Sequence, residues 1–371
     1  MDNSKFCFAP FREALIDTDG SMMPCCEYKI KSNLTFNDFD KWWDEETELV
    51  RKDFISETHN EGCTYCKDKE SIPGGTRHRV NVNSRYTLTL KKEEHDDPVR
   101  RKTPEFLEIR FGNYCNLKCI MCGPYASSSI AQEINENRGL YFKNKINYRN
   151  NKTIRWWEEP GALEKLKYLA KNAKYLTFTG GEPMMIPEVV DILSEADPSC
   201  QISFSTNLTR LNSKILNVFE KFESISLSVS LEGVSTHNDY IRHGSEWAQI
   251  VESIKILKQR SNVRINIAHV MQHTTVFAFP KLAKFFEEYQ LLSTFNAVYH
   301  PPGFLTVNSV HPRDMDTFKD YLAKHPHTTI ESWIKDYKFD EYYHKNFKNY
   351  VGMLDQIRDT DFRDVFTPQW D

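Results

Sequence analysis

The 371-residue sequence lacks any uninterrupted apolar run long enough to cross a bilayer, where a spanning helix needs roughly 20 such residues. It also lacks a signal peptide's apolar stretch, opening instead with the polar Met1-Asp2-Asn3-Ser4-Lys5-Phe6. Charge of one sign is not in excess: 48 basic residues face 52 acidic ones, for a net charge of −4 and a pI near 6.3. That balance argues against a general nucleic-acid or anionic-membrane binder. We therefore expect a cytoplasmic protein with no nucleic-acid or membrane partner. Structural disulfides do not persist in that compartment, and nine cysteines, an odd number, pair poorly. They are expected as thiols, metal ligands or redox groups. With 40% hydrophobic and 27% charged residues, the chain reads as a globular protein of one large and one smaller domain.

Three of the cysteines fall within eight residues, Cys115-Asn116-Leu117-Lys118-Cys119-Ile120-Met121-Cys122, spaced C-x3-C-x2-C after the strand-like run Phe106-Leu107-Glu108-Ile109-Arg110-Phe111. No fourth cysteine lies nearby. A short loop so spaced can reach three irons of a [4Fe–4S] cubane and leave one iron open to a small ligand. Zinc is the rival reading, although structural zinc sites are closed by four ligands in two-plus-two spacing. Three unrelated core cysteines are the plain alternative.

This spacing resembles the radical S-adenosylmethionine (SAM) superfamily, whose signature is C-x3-C-x-aromatic-C. The resemblance implies a [4Fe–4S] cluster on Cys115, Cys119 and Cys122, with SAM chelated at the open iron. Met121 stands where the family has its aromatic residue against the adenine. A thioether makes a comparable contact with a ring.

Five cysteines precede this motif: Cys7, the pair Cys25-Cys26, and Cys63-x2-Cys66. Residues 14–24 read as two short strands joined by the Asp19-Gly20 turn, which brings Cys7 near Cys25. Residues 36–55 place Phe39, Trp42, Trp43, Leu49, Val50 and Phe54 at roughly helical spacing, and Cys63-x2-Cys66 follows on a loop containing Gly62. Spacing alone leaves zinc and a fully ligated [4Fe–4S] cluster both open. Cys7-x12-Gly20-x4-Cys25 resembles the opening of the SPASM/twitch auxiliary-cluster domain, here placed before the barrel instead of after it. The resemblance implies an auxiliary [4Fe–4S] cluster on Cys7, Cys25, Cys63 and Cys66, with Cys26 as an alternative to Cys25. Arg77, His78 and Arg79, in the run from Gly74 to Asn81, suit a substrate carboxylate or simply a solvated loop.

From Pro104 the chain alternates strands (105–111, 175–179, 201–205, 224–230, 263–271, 294–299) with amphipathic helices. The helices are expected at 161–172, at 187–196, at 213–222 with Ser213 as cap, at 245–259, and at 280–289 starting from Pro280. Residues 131–158 form an oversized insertion with a Trp156-Trp157 pair. The fold class expected is α/β: a partial (β/α)6 TIM-type barrel preceded by a small cysteine-rich α+β twitch-like domain. The segments are 1–90 for the auxiliary domain, 91–104 for a charged linker, 105–305 for the barrel and 306–371 for a helical extension carrying no chemical motif.

Active sites of parallel barrels lie at the C-terminal ends of strands, and the polar motifs fall there. In the family, the motif matched by Gly180-Gly181-Glu182-Pro183 holds the SAM amino group. Ser205 and Asn207 match positions near ribose and methionine, and Ser230 and Glu232 match a Ser-x-Asp element with Glu for Asp. Arg242 resembles the arginine that pairs with the SAM carboxylate, a suitable anion for its fork. Val270, on strand 263–271, sits where the family packs adenine, while His269 and His300 read as structural or substrate-facing. The resemblance implies reductive cleavage of SAM to a 5′-deoxyadenosyl radical that abstracts hydrogen. A flavodoxin or ferredoxin is the implied reductant and a peptide or amino-acid-like molecule the implied substrate. A two-cluster electron-transfer protein would need none of the glycine, ribose-side or arginine features. A zinc-stabilised binding module would need none of the convergent strand ends.

Overall fold

The computed structural model describes residues 6–71, 79, 83–84, 86, 101–146, 152–298 and 303–366. Its strands, numbered in chain order, begin with β1 (Glu13–Ile16), β2 (Met22–Met23), β3 (Phe106–Phe111), β4 (Lys118–Cys119) and β5 (Tyr175–Gly180). They continue with β6 (Gln201–Thr206), β7 (Ile225–Ser230), β8 (Arg242–His243), β9 (Val263–Met271) and β10 (Leu292–Ala297). The six barrel strands expected from the sequence are therefore β3, β5, β6, β7, β9 and β10, and the fold is a mostly parallel α/β one. The chain divides into two compact units.

The first unit comprises residues 1–113, 154–205 and 211–226. Its sheet runs β6–β5–β3–β1–β2, parallel throughout except for the β1–β2 hairpin. Phe111, Phe178 and Phe204, all fully buried, stack face to face from strand to strand, Phe178 and Phe204 at 4.9 Å between ring centroids. The hairpin is where the sequence placed it, with Gly20 at φ +81° in its turn. Its outer partner was not expected: Glu13 to Ile16 pair in parallel with Phe106 to Ile109, so β1 extends the sheet of β3. The buried Arg12–Glu105 ion pair fastens the start of both strands.

Several expected details are corrected. The run at 36–55 is helical but interrupted by a π turn at Trp42–Glu46 between a short helical segment and the helix Thr47–Ile55. Cys63 and Cys66 sit on a 3-10 turn (Glu61–Cys63) and the first turn of helix Thr64–Ser71, not on a loop. The helix Ser213–Phe219 is capped by Asn212, whose Oδ1 accepts the Ile215 N–H at 3.1 Å, not by Ser213. Trp156 and Trp157, by contrast, pack, which is the preferred of their two readings over covering the barrel mouth: the Trp156 indole donates to the Arg110 carbonyl at 3.0 Å, and Trp157 meets Phe111 edge-on. The linker at 91–100 and the run 74–78 lie outside the described residues.

The second unit comprises residues 114–153, 206–210 and 227–371. Its strands run β10–β9–β7, with β10 and β9 parallel, and β4 and β8 form a separate two-residue antiparallel ribbon. The helix expected to begin at Pro280 begins at Thr275 and carries Pro280 inside. Proline costs that helix one backbone hydrogen bond, offset by burial of Val276, Ala278, Phe279, Leu282, Phe285 and Phe286. The tail carries the helices Pro312–Lys324, Thr328–Ile334 and Glu341–Arg358. No helix of the described residues is long and apolar enough to cross a membrane.

Candidate functional site

The cysteine loop is in the second unit, and hydrogen bonds to its backbone fix its path. The Cys115 carbonyl accepts the hydroxyls of Ser128 (3.2 Å) and Ser129 (2.8 Å). Ser127 donates its hydroxyl to the Leu117 carbonyl at 2.6 Å and accepts the Ile130 N–H at 3.2 Å, capping the helix Ser128–Glu136. The loop then enters β4, where Cys119 pairs with Arg242 of β8, and the Cys122 N–H closes a turn on the Cys119 carbonyl at 3.1 Å.

N–H donors converge on the sulfurs. The Leu117 N–H (3.5 Å) and the Asn207 side-chain amide (3.8 Å) point at Cys115 Sγ, and Arg242 Nη1 (3.6 Å) at Cys119 Sγ. Asn207 is itself held by Asn116, which donates to Thr209, so Asn207, Thr209 and the loop share one polar network. Burial pushes the Cys119 thiol up, with Arg242 pulling it back; burial and then Cys119 push Cys122 up to about 12. Both thiols need a nearby positive centre to ionise, and bound iron is one.

Arg242 has a protein partner. Its Nη2 meets Glu232 Oε1 at 2.6 Å, and the other Glu232 oxygen accepts the Val270 N–H at 2.9 Å. Glu232 is fully buried, so the longer acid that stands in place of aspartate reaches inward to the guanidinium. The arginine expected to meet a SAM carboxylate is thus aimed by a carboxylate of the chain, while its Nε has no hydrogen-bond partner among the described residues. Ser230 ends β7, half-buried, and Met121 packs against the apolar cluster of Ile120, Tyr240, Ile241 and Phe347. His269 is structural: fully buried, its Nδ1 lies 3.0 Å from the Leu231 carbonyl and its Nε2 3.0 Å from Thr275 Oγ1.

The remaining expected residues belong to the first unit. Gly180 ends β5 at φ +107°, where a Cβ would stand 2.7 Å from the Phe111 nitrogen, so only glycine fits without strain. Glu182 is buried, and its Oε1 accepts the Met184 N–H at 3.1 Å. Gly181 is half-buried, and Ser205, next to the end of β6, is exposed.

In the same unit Cys7, Cys25, Cys63 and Cys66 line one cavity with Tyr28, Phe54 and Arg79; Cys26 is exposed and does not line it. Burial pushes Cys7 up to about 12, and Cys63 and Cys66 up to about 11. Mutual repulsion among these thiols adds to the rise at Cys7 and Cys63, and the Arg79 charge opposes it at Cys63 and Cys66. Arg79 is fixed by a forked ion pair in which its Nε meets Glu70 Oε2 at 2.8 Å and its backbone N–H meets Oε1 at 2.8 Å. The turn bearing Cys63 is locked by Asn60, which accepts the Gly62 N–H and the Tyr28 hydroxyl and donates to Asp53. Among the described residues no three His, Cys, Asp or Glu side chains gather around a single-ion position.

The Radical SAM superfamily matches residues 109–286. Those residues form a radical SAM domain. That domain marks the chain as an enzyme, and its family implies a SAM-binding [4Fe–4S] cluster; the cysteine loop, with three thiols and N–H donors aimed at two of them, fits such a group. Comparison with curated proteins finds no match. Among solved structures, SuiB of Streptococcus suis bound to S-adenosylmethionine is 14% identical over 84% of this chain and 69% of that one, with a TM-score of 0.40. TYW1 with a lysine-pyruvate adduct is 15% identical over 58% of this chain and 72% of that one, with a TM-score of 0.36. Coproporphyrinogen III oxidase (HemN) of Escherichia coli is 12% identical over 59% and 51%, with a TM-score of 0.37. Likenesses at these TM-scores say nothing of this chain's substrate.

Sequence reasoning missed one group around the radical SAM loop. Glu133 is buried and receives Arg358 (Nε 3.1 Å, Nη2 3.0 Å), the Tyr141 hydroxyl (2.8 Å) and Lys118 Nζ (3.3 Å), Lys118 being the residue before Cys119. Lone charges scattered over 225 positions of sequence carry no local signal of such a pairing.

Proposed function

We propose that the enzyme binds SAM at a [4Fe–4S] cluster on Cys115, Cys119 and Cys122 and abstracts hydrogen from a peptide or amino-acid-like substrate, with an auxiliary [4Fe–4S] cluster on Cys7, Cys25, Cys63 and Cys66. The observation that carries the first part is the convergence of N–H donors on the sulfurs of a C-x3-C-x2-C loop within the matched domain. A cluster bound there supplies the electron that breaks a sulfonium carbon–sulfur bond of SAM, giving methionine and a 5′-deoxyadenosyl radical. The chain's own residues bind and orient. Arg242, aimed by Glu232, donates to the Cys119 sulfur, and Asn207 donates to the Cys115 sulfur. Gly180, Gly181 and Glu182 keep the SAM amino group as their assignment. Ser205 and Ser230 keep the ribose side, and Met121 and Val270 the adenine.

The auxiliary assignment rests on four thiols lining one cavity, an arrangement suited to a cubane with a thiolate on each iron. It favours Cys25 over Cys26, which lies outside that cavity. A second cavity of about 370 Å³ shares Cys63, Phe54 and Arg79 with it and adds Ile55, His59 and Lys67. That volume, with an apolar wall and a rim holding Glu57 beside His59, Lys67 and Arg79, suits a small peptide- or amino-acid-like molecule. Electrons would come from a flavodoxin or ferredoxin.

Iron and acid-labile sulfide analysis after anaerobic reconstitution tests this reading. About eight irons in the wild type, about four in a Cys63→Ala/Cys66→Ala variant and saturable SAM binding in both are expected. Iron without SAM binding would point to an electron-transfer protein. Zinc in place of iron would point to a binding module.

A further inference from the structure

We propose that the C-terminal helix Glu341–Arg358 is part of the apparatus that holds the cysteine loop, with Tyr350 as a positioning residue for Cys119 and Cys122. The inference rests on the radical SAM reading of that loop. The matched domain ends at residue 286, before this helix begins, and no sequence motif marks the helix.

The contacts reach the loop at its centre. Ile120, between the second and third cysteines, is fully buried, and its N–H donates to the Ile241 carbonyl at 2.9 Å. Its carbonyl accepts the Tyr350 hydroxyl at 2.9 Å, a buried bond between residues 230 positions apart. A buried carbonyl between two ligand residues needs a partner, and the tyrosine supplies it. The Ile120 side chain packs in one apolar cluster with Phe347, Tyr350, Val351 and Leu354 of the helix and with Tyr240 and Ile241. The helix grips the surroundings twice more. Asp355 accepts the Tyr240 hydroxyl at 2.8 Å, just ahead of β8 and Arg242. Arg358 pairs with Glu133, which also holds Lys118. The ribbon that carries Cys119 and Arg242 is thus fastened to the helix through Ile120, through Tyr240 and through Lys118.

A cluster bound by three thiolates is lost by local opening of its loop, and the stability of such openings is set by bonds of this kind. Deleting the Tyr350 hydroxyl removes one hydrogen bond and keeps the ring, so the fold is retained while loop opening becomes more frequent.

The test compares Tyr350→Phe with wild type and with Tyr343→Phe, on the same helix, in anaerobically reconstituted full-length protein. Iron release to an excess of chelator and the low-temperature EPR spectrum of the dithionite-reduced protein, with and without SAM, are measured beside the thermal midpoint. The iron in question is identified as the fraction missing from Cys119→Ala. In Tyr350→Phe that fraction should leave about fivefold faster. Its SAM-induced EPR change should be broadened, at a thermal midpoint close to that of Tyr343→Phe. Release and spectra matching wild type would overturn the proposal. A wild type with no Cys119-dependent iron would instead overturn the radical SAM reading beneath it, and the two failures are told apart by that fraction alone.

Discussion

Substituting Glu232 by glutamine probes how the site aims its arginine. The carboxylate is fully buried and meets Arg242 at 2.6 Å, while its second oxygen accepts the Val270 N–H at 2.9 Å. Glutamine keeps the volume and one acceptor oxygen but removes the charge, leaving the buried guanidinium without the carboxylate that neutralises it; the Cys119 sulfur lies 3.6 Å away. Removing one member of a buried pair costs about 3–5 kcal/mol, against about 0–1 kcal/mol for an exposed pair. Replacing both members by apolar groups is often neutral. We therefore expect Glu232→Gln to lose about 3 kcal/mol or more in urea denaturation of the metal-free protein, and Glu232→Gln/Arg242→Met to recover a large part of it. The variant should also bind SAM more weakly after reconstitution, because the arginine is no longer held toward the loop. A loss below about 1 kcal/mol, or strict additivity in the double variant, would refute the claim that this pair is a buried, coupled unit.

Other consequences follow from the same geometry. Burial pushes the Glu133 carboxyl up, but Arg358, Tyr141 and Lys118 outweigh it and leave the carboxyl below its usual range. A depressed folded pKa contributes stability that is fully present above the unfolded value of about 4.3 and is lost as pH falls through the folded value. Glu133→Gln should therefore lower stability at neutral pH and flatten its fall between about pH 5 and pH 3; an unchanged acid limb in a denaturation series contradicts the network. At the auxiliary site, Cys25→Ser should lose the second cluster's iron and Cys26→Ser should keep it, since only Cys25 lines the cavity. Iron analysis giving the reverse order would reassign the fourth ligand.

Much of this was legible in the sequence because it is written locally. The strands of the barrel are short apolar or alternating runs bounded by turns, and β3, β5, β6, β7, β9 and β10 appear where those runs are. The cysteine spacing is equally local. Misreadings arose where a local signal was overridden: Pro280 looked like a helix start, yet the apolar face from Val276 to Phe286 extends the helix ahead of it. What stayed hidden depends on partners far apart in sequence. Nothing near Glu13 announces β3 as its neighbour, and nothing near Tyr350 announces the Ile120 carbonyl 230 positions away. The apolar spacing of Phe347, Tyr350, Val351 and Leu354 marks a buried face, but a hydroxyl's destination has no pattern. Glu232 shows the same limit, since its replacement of aspartate was visible and its inward turn onto Arg242 was not.

The central claim is most directly tested by the product of SAM cleavage. Anaerobically reconstituted protein is mixed with dithionite and SAM, and 5′-deoxyadenosine is quantified by chromatography for wild type and for Cys119→Ala. The account predicts steady formation by the wild type and none above background by Cys119→Ala. A wild type that carries its iron yet forms no 5′-deoxyadenosine, or a Cys119→Ala variant that forms as much, would contradict it.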